Sequence, residues 1–263
     1  MGSATTQALG EIAAALSATS GVDLATADEL FTAARVVGAS SPLSGALADP
    51  SASSPSRAKV VADVFGRDFS PVTVSLLTTA VQQRWSRAAD LVEGIEELAI
   101  RAAAKADAAA DIEGELFAFT RAVAANPSLE LALGSRLGDA TAKGRLIETL
   151  LTDRTAAGTK LIVASIVQQP GERRIRQLLS RAMRIVSDER GRAVATVVTA
   201  TPLTRSQANK LATLLSTKYG RDVSLNTVVD PGVVGGLRIQ IADDVIDASI
   251  ASRLADLRQR LAG

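Results

Sequence analysis

The chain of 263 residues is 47% hydrophobic and 22% charged, which is enough for one large domain or for two or three small domains with cores of their own. Its 29 basic and 28 acidic side chains leave a net charge of +1, so the chain as a whole lacks the positive field that attracts nucleic acid. Histidine and cysteine are both missing, which excludes imidazole catalysis, thiol nucleophiles, disulfides and the usual zinc and iron–sulfur sites. We therefore expect a structural or binding protein without catalytic residues, cofactor or metal.

No hydrophobic segment is long enough for a membrane-spanning helix. The longest runs, 161–167 and 193–200, fall far short of the roughly 20 residues that a bilayer requires. The amino end also lacks the basic and then apolar segments of a secretory signal. These features predict a protein without a direct membrane span, in a cytoplasmic setting that fits the missing cysteines.

Apolar residues near the amino end recur at helical spacing. Leu9, Ile12 and Leu16 share one face of the first predicted helix. A second helix is predicted over 23–38, because acidic residues occupy its first turns and a glycine lies near its end.

A break at 40–42 and a Pro/Ser connector over 48–56 follow these helices. Ser56 is then expected to cap the helix that carries 59–65. Further along, 90–110 is rich in Ala, Glu, Leu and Lys and has no proline, which predicts a single long helix.

An internal repeat has a constant offset of 86 residues. It begins at Glu29-Leu30-Phe31, which aligns with Glu115-Leu116-Phe117, and continues without a gap to Val81-Gln82-Gln83. Two long copies are poorly described as a solenoid, which usually has at least about three short repeats. The repeat therefore predicts two tandem helical bundles, copy 1 at 1–104 and copy 2 at 105–190, joined by the long helix.

The pattern changes after residue 191. Residues 193–199 are β-branched and alternate, 204–219 have helical spacing, and 223–229 alternate again. A strand, a helix and a second strand are predicted, and a right-handed crossover makes the two strands parallel.

Two more strands, 237–241 and 245–247, are expected to form a hairpin, and Ser249 is expected to cap a final helix through Leu261. The predicted fold class is α+β, with two tandem amphipathic helical bundles followed by a small α/β domain at 191–263.

A glycine-rich segment, 232–236, lies between two predicted strands. Its spacing matches neither a phosphate-binding loop nor a dinucleotide-binding turn, so nucleotide binding is not expected there. The glycines are instead expected to permit positive φ or a close backbone approach at a bend.

Four arginines lie in one sector of a predicted helix over 172–190, opposite apolar residues: Arg173, Arg174, Arg181 and Arg184. One interpretation is a solvated face whose arginine stems cover apolar surface. The other is a site for an acidic protein partner. RNA binding is disfavoured because stacking aromatics and a glycine-rich nucleic-acid motif are missing nearby.

A long motif begins at Val229. Its residues Asp230, Pro231, Gly235, Gly236 and Asp247, in the order and spacing that they have here, closely resemble the carboxyl-terminal signature of the ATP synthase delta subunit family, which includes the mitochondrial oligomycin-sensitivity-conferring protein. Ala242 and Ala248 stand where the family pattern has glycine. The duplicated helical region is similar to the long form of actinobacterial members.

The resemblance implies a non-catalytic stator subunit of the proton-translocating ATP synthase, in a hetero-oligomeric complex. Its helical bundle is expected to hold amino-terminal helices of the alpha subunit, and its carboxyl domain to bind the peripheral stalk b subunit. It is expected on the cytoplasmic side of the cell membrane as a peripheral protein that binds no nucleic acid.

The resemblance also implies a groove for the alpha-subunit helix between the first and fifth helices of a bundle. In copy 1 the groove maps to Ala8, Leu9, Ile12, Leu16, Val74, Leu77 and Val81, and in copy 2 to Leu161, Ile162 and Ile166. For each of these residues, packing in the core of its own bundle is the alternative interpretation.

Two other functional classes remain as alternatives. The first is a free-standing helical adaptor that shares only the small α/β module. The second is an enzyme, which the missing histidine and cysteine disfavour.

Overall fold

The computed structural model describes residues 2–135, 139–171, 173–231, 235–241 and 244–247. The chain divides into two compact units, Met1–Glu189 and Arg190–Gly263, which we call the helical unit and the carboxyl unit.

The helical unit consists of helices joined by short connections. In chain order the helices are α1 (Ser3–Ala18), α2 (Leu24–Ala39), α3 (Ser41–Ala48), α4 (Ser54–Phe65), α5 (Pro71–Gln82), α6 (Ala88–Ala106), α7 (Ile112–Ala124), α8 (Pro127–Gly134), α9 (Ala140–Leu151), α10 (Ala157–Gln168) and α11 (Ile175–Glu189). The helix predicted over 23–38 and the long helix predicted over 90–110 are both present, the latter four residues shorter at its carboxyl end.

Short polar side chains begin several of these helices. The Asp23 carboxylate accepts a hydrogen bond from the Thr26 amide at 2.8 Å and so caps α2. The prediction that Ser56 caps the next helix is wrong: α4 begins at Ser54, and the hydroxyl of Ser53 accepts from the Ser56 amide at 3.3 Å. A proline in the first turn explains the earlier start, because proline is favoured where the amide needs no intrahelical partner.

The helices recur at the offset found in the sequence. α3, α4 and α5 begin and end 86 residues before α8, α9 and α10, as Ser41 and Pro127 illustrate. The same offset places α1 on α6, α2 on α7 and α6 on α11, so that α6 serves as the sixth helix of copy 1 and as the first helix of copy 2. The boundary between residues 104 and 105 stays a prediction.

A single hydrophobic core runs through the helical unit and includes residues of both copies. Its long central helix, α6, packs against α1, α2, α3 and α5 and also against α10 and α11. Every residue from Glu97 to Ala104 is therefore buried. The largest fully buried side chains are Ile12, Leu16, Leu30, Leu47, Leu77, Leu91, Ile95, Leu98, Ile112, Leu116, Leu133 and Ile147.

The carboxyl unit contains a four-stranded sheet and one helix. Its elements are β1 (Arg192–Thr199), α12 (Arg205–Tyr219), β2 (Asp222–Val229), β3 (Leu237–Ile241) and β4 (Asp244–Asp247), and the strand order is β2-β1-β3-β4. β1 and β2 are parallel, as predicted from the strand–helix–strand pattern, and β3 pairs antiparallel with both β1 and β4.

The core of the carboxyl unit lies between one face of the sheet and α12. It consists of Ala193, Ala195, Val197, Leu215, Val223, Ile239 and Ile241. Thr204 and Gln207 form a capping box at the start of α12, and Gly220 ends the helix with a φ of 68°. The predicted α+β class, helical bundles followed by a small α/β domain, is confirmed. The predicted final helix from Ser249 to Leu261 lies outside the described residues.

Candidate partner-binding sites

The fifth helix of each copy is held at its amino end by a glutamate from the second helix. The Glu29 carboxylate accepts hydrogen bonds from the amide and hydroxyl of Ser70 and from the hydroxyl of Thr73, at 3.0, 2.9 and 2.5 Å. In copy 2, Glu115 accepts from the Ala156 amide at 3.0 Å and from the Thr159 hydroxyl. A carboxylate suits the positive end of a helix, so the repeat preserves the interaction that positions the predicted groove.

The groove residues predicted in copy 1 lie where α1 meets α5. Most of them are buried in the core of the helical unit: Ala8, Ile12, Leu16, Leu77 and Val81. Leu9 and Val74 are only partly buried and remain accessible at its edge. Partner binding at these positions stays a prediction, and the contact surface that a partner reaches in the free chain is limited to the outer faces of α1 and α5.

The groove residues predicted in copy 2 lie on α10. Ile162 and Ile166 are buried and Leu161 is partly buried. A crevice of about 150 Å³ beside α10 is lined by Leu161 together with Asp28 and Arg35 of α2. A helix of copy 1 therefore lies against the predicted groove of copy 2, a contact that the interpretation as two tandem bundles did not predict.

Among the described residues, two of the four aligned arginines have acidic partners. Arg173 Nη2 lies 2.9 Å from Glu96 Oε2, and Arg181 Nη2 lies 3.3 Å from Glu97 Oε2, so acidic residues of α6 neutralise this part of the stripe. Burial raises the pKa of Glu96, although both arginines offset part of the effect. Only Arg174 and Arg184 of the four are exposed, which leaves little of the basic surface for an acidic partner.

A second ion network ties α6 to the end of α11. Arg101 Nη2 lies 2.9 Å from Glu97 Oε1 and 2.7 Å from Asp188 Oδ2, and its Nη1 lies 3.3 Å from Glu189 Oε2. Burial also raises the pKa of Glu189. Asp188 is 61% exposed, whereas the Arg101 and Glu189 side chains are 11% and 10% exposed. The Arg101–Glu189 pair is therefore the contact that is costly to break and that fixes α11 on the helix that both copies share.

The described residues of the family motif lie after the end of β2, directly before β3 and at the end of β4. The Asp230 amide donates to the Thr199 carbonyl at 2.8 Å, which joins the end of β2 to the end of β1, and Pro231 is exposed. Gly235 and Gly236 have φ of 67° and 79°, in the left-handed region that favours glycine. Asp247 lies opposite Arg238 in the β3–β4 pair. Residues 232–234, 242–243 and 248–263 lie outside the described residues, among them Ala242 and Ala248.

Neither a metal cluster nor a membrane span is found in the part of the chain that the structure describes. No three acidic side chains are grouped there so that they could hold a metal ion. None of the described helices combines the length and hydrophobicity needed to cross a bilayer.

Comparison with known proteins gives the family. The family model described as ATP synthase delta (OSCP) subunit matches residues 98–261, from the middle of α6 to the carboxyl end. A protein named ATP synthase subunit delta from Leifsonia xyli subsp. xyli is 47% identical over 265 residues and is covered completely, as is this chain. Proteins of the same name from Acidothermus cellulolyticus and Streptomyces avermitilis are 40% and 38% identical, over 89% and 90% of this chain and 87% and 88% of their own lengths. With a family match over more than half its length and a relative that aligns from end to end, the chain belongs to the ATP synthase delta (OSCP) subunit family.

Proposed function

We propose that the chain is a non-catalytic stator subunit that links the catalytic head of an F-type ATP synthase to its peripheral stalk and resists rotor torque. The observation that carries the proposal is the end-to-end alignment with a protein named ATP synthase subunit delta. The helical unit binds the alpha subunit through amino-terminal helical sequence of that subunit, and the carboxyl unit binds the b subunit of the stalk. The chain is peripheral, on the cytoplasmic side of the cell membrane.

These binding roles are assigned to the domains that we propose, which are copy 1 at 1–104, copy 2 at 105–190 and the stalk-binding domain at 191–263. The family model begins within α6 and ends in the carboxyl unit, so copy 2 and the carboxyl unit correspond to the family's usual length. Copy 1 is then the added bundle.

The chemistry of the surface supports binding rather than catalysis. Apart from Glu11, the exposed residues of α1 and α5 are small or neutral, which suits docking of an amphipathic helix. Among the described carboxylates, burial raises the pKa of Glu96 and Glu189, and both are held in ion pairs with arginines, which gives these shifts a structural explanation.

Affinity purification of the tagged chain from its native cells tests the proposal. We expect it to recover the alpha, beta and b subunits together, and a free-standing adaptor would recover none of them. The purified chain alone is expected to hydrolyse no ATP. A magnesium-dependent ATPase activity that follows the chain through purification and is lost on mutating this chain would refute the non-catalytic assignment.

A further inference from the structure

Helix α2 of copy 1 lies directly against α10 of copy 2. A Cβ atom added at Gly38 would lie 2.6 Å from Nε2 of Gln169, at the end of α10, and 3.2 Å from Cγ1 of Val92. Nearer the middle of α2, Phe31 and Arg35 line a second crevice with α6 and α10. The two helices therefore meet at Gly38 and Gln169, and two crevices remain between them nearer the middle of α2.

The repeat allows each half of this interface to be compared with its counterpart. On α2, Phe31 and Ala34 are 4% and 1% exposed, whereas their counterparts on α7, Phe117 and Thr120, are only partly buried. The counterpart of Arg35, Arg121, is exposed. The face of α7 is therefore open where the face of α2 is covered.

The other half of the interface, which α10 provides in copy 2 and α5 in copy 1, shows the same difference. On α10, Ala164 and Ser165 are 5% and 7% exposed, and their counterparts on α5, Thr78 and Thr79, are only partly buried. Copy 2 thus has a helix-binding surface that α2 covers, and the homologous surface of copy 1 is open.

We call the open surface the amino seat and define it by its exposed or partly buried residues: Gly10, Ala14, Ser75, Thr78, Thr79 and Gln82. Gly10, Ala14 and Ser75 are smaller than their copy 2 counterparts, Glu96, Ile100 and Leu161, which line the two crevices beside α2. Thr78 and Thr79 are slightly larger than theirs, Ala164 and Ser165. The amino seat therefore has room for larger side chains than α2 presents.

Charge also distinguishes the two surfaces. In copy 2, Asp28 and Arg35 of α2 share a crevice with Lys160 and Glu148. The counterparts of these last two residues in copy 1 are Val74 and Ala62. An occupant of the amino seat meets neutral and apolar side chains in place of this charged set.

We propose that the chain binds one partner helix and not two: copy 1 accepts it on the amino seat, and α2 closes the equivalent surface of copy 2. The helix is amphipathic, and the side chains on its bound face are larger than those of α2 and carry few charges. The inference rests on the proposed function for the assignment of that helix to the alpha subunit. It adds which copy binds and how many helices it holds.

Isothermal titration of the full chain with a synthetic peptide of the alpha subunit's amino-terminal helix tests the proposal. We expect one site per chain. In the Gly10→Arg variant we expect the affinity to fall at least about tenfold, because a charged side chain then projects over the seat. Gly45→Arg is the matched control: both glycines lie on exposed helix surface, and a Cβ atom at either would meet nothing within 4 Å.

Each other result would overturn the proposal. Two sites per chain would show that α2 does not close copy 2, and equal affinity of the two glycine variants would show that the partner binds elsewhere. Failure of the peptide to bind a chain that still copurifies with the head would overturn this inference and leave the proposed function standing. Self-association that Gly10→Arg abolishes, detected by sedimentation, would show that the occupant is the open α7 face of a second copy.

Discussion

Removing the carboxylate that caps the fifth helix in either copy should destabilise the helical unit measurably. Glu29→Ala takes away the acceptor of three hydrogen bonds, and Glu115→Ala takes away the acceptor of the bonds from Ala156 and Thr159. Hydrogen bonds to a charged group contribute about 1.5 to 3 kcal/mol each when buried. Both carboxylates are partly exposed, so water replaces part of that loss.

We therefore expect each variant to lower the free energy of unfolding by about 2 kcal/mol. For a protein of this size that corresponds to a fall in Tm of roughly 4 to 8 °C. The two carboxylates share no partner, so the double variant should lose about the sum. The effect in copy 2 should be at least as large, because Ala156 provides no side-chain cap of its own, whereas Ser70 still accepts from the Thr73 amide.

Urea titration and thermal melts followed by far-UV circular dichroism measure these changes. Glu11→Ala, at an exposed position of α1, is the control for the loss of one acidic side chain. If Glu29→Ala and Glu115→Ala both unfold within about 0.5 kcal/mol of that control, the caps do not stabilise the unit and our account of the repeated interaction is wrong.

Three further changes test other parts of the structure. A Cβ at Gly94 would lie 2.2 Å from Cη2 of the buried Trp85 ring, so Gly94→Ala should lower the free energy of unfolding by about 1 to 3 kcal/mol in urea titration. Gly10→Ala, with open space at its Cβ, should be neutral or stabilising, and equal effects of the two changes would contradict the packing argument. Burial raises the pKa of Glu96, so the folded chain binds this proton more tightly than the unfolded chain, and the free energy of unfolding should decrease as pH rises through the raised pKa. Glu96→Gln should remove that part of the slope of the free energy of unfolding against pH. An unchanged slope would exclude Glu96 as the titrating group. Gly236→Val places a β-branched residue at a φ of 79°, which should lower the free energy of unfolding by about 1 to 3 kcal/mol. The variant should lose the b subunit in a pull-down before it loses the alpha subunit. Unchanged binding and melting would show that the position tolerates a side chain.

Local signals in the sequence are sufficient to predict most of the helices and strands that the structure describes. The acidic start of α2 and the long proline-free run of α6 are properties of neighbouring residues, and both helices are present. The start of α4 was misplaced because Ser53 and Ser56 are both acceptable caps by residue type. The choice between them depends on the proline that lies in the first turn.

Packing between the copies could not be predicted from the same signals. The contact between Gly38 and Gln169 joins residues far apart in the chain, and helical periodicity describes only one face of one helix at a time. One signal was available: between Leu98 and Ala104 every residue of α6 except Arg101 is apolar, so apolar side chains lie on more than one face of the helix, which indicates that several neighbours cover it. The partners of Arg173 and Arg181 were missed for the same reason, since they lie on another helix.

The helix that both copies share has a consequence for how the chain can vary in length. Each residue of an α-helix turns the chain by about 100° and advances it by about 1.5 Å. One residue inserted in the middle of α6 would therefore turn copy 2 about the helix axis relative to copy 1 and carry α10 out of reach of α2. The number of residues in α6 therefore sets the rotation of copy 2 about the helix axis relative to copy 1. Insertions and deletions in this family should fall in the connections between helices, and α6 should vary in its side chains but keep its length.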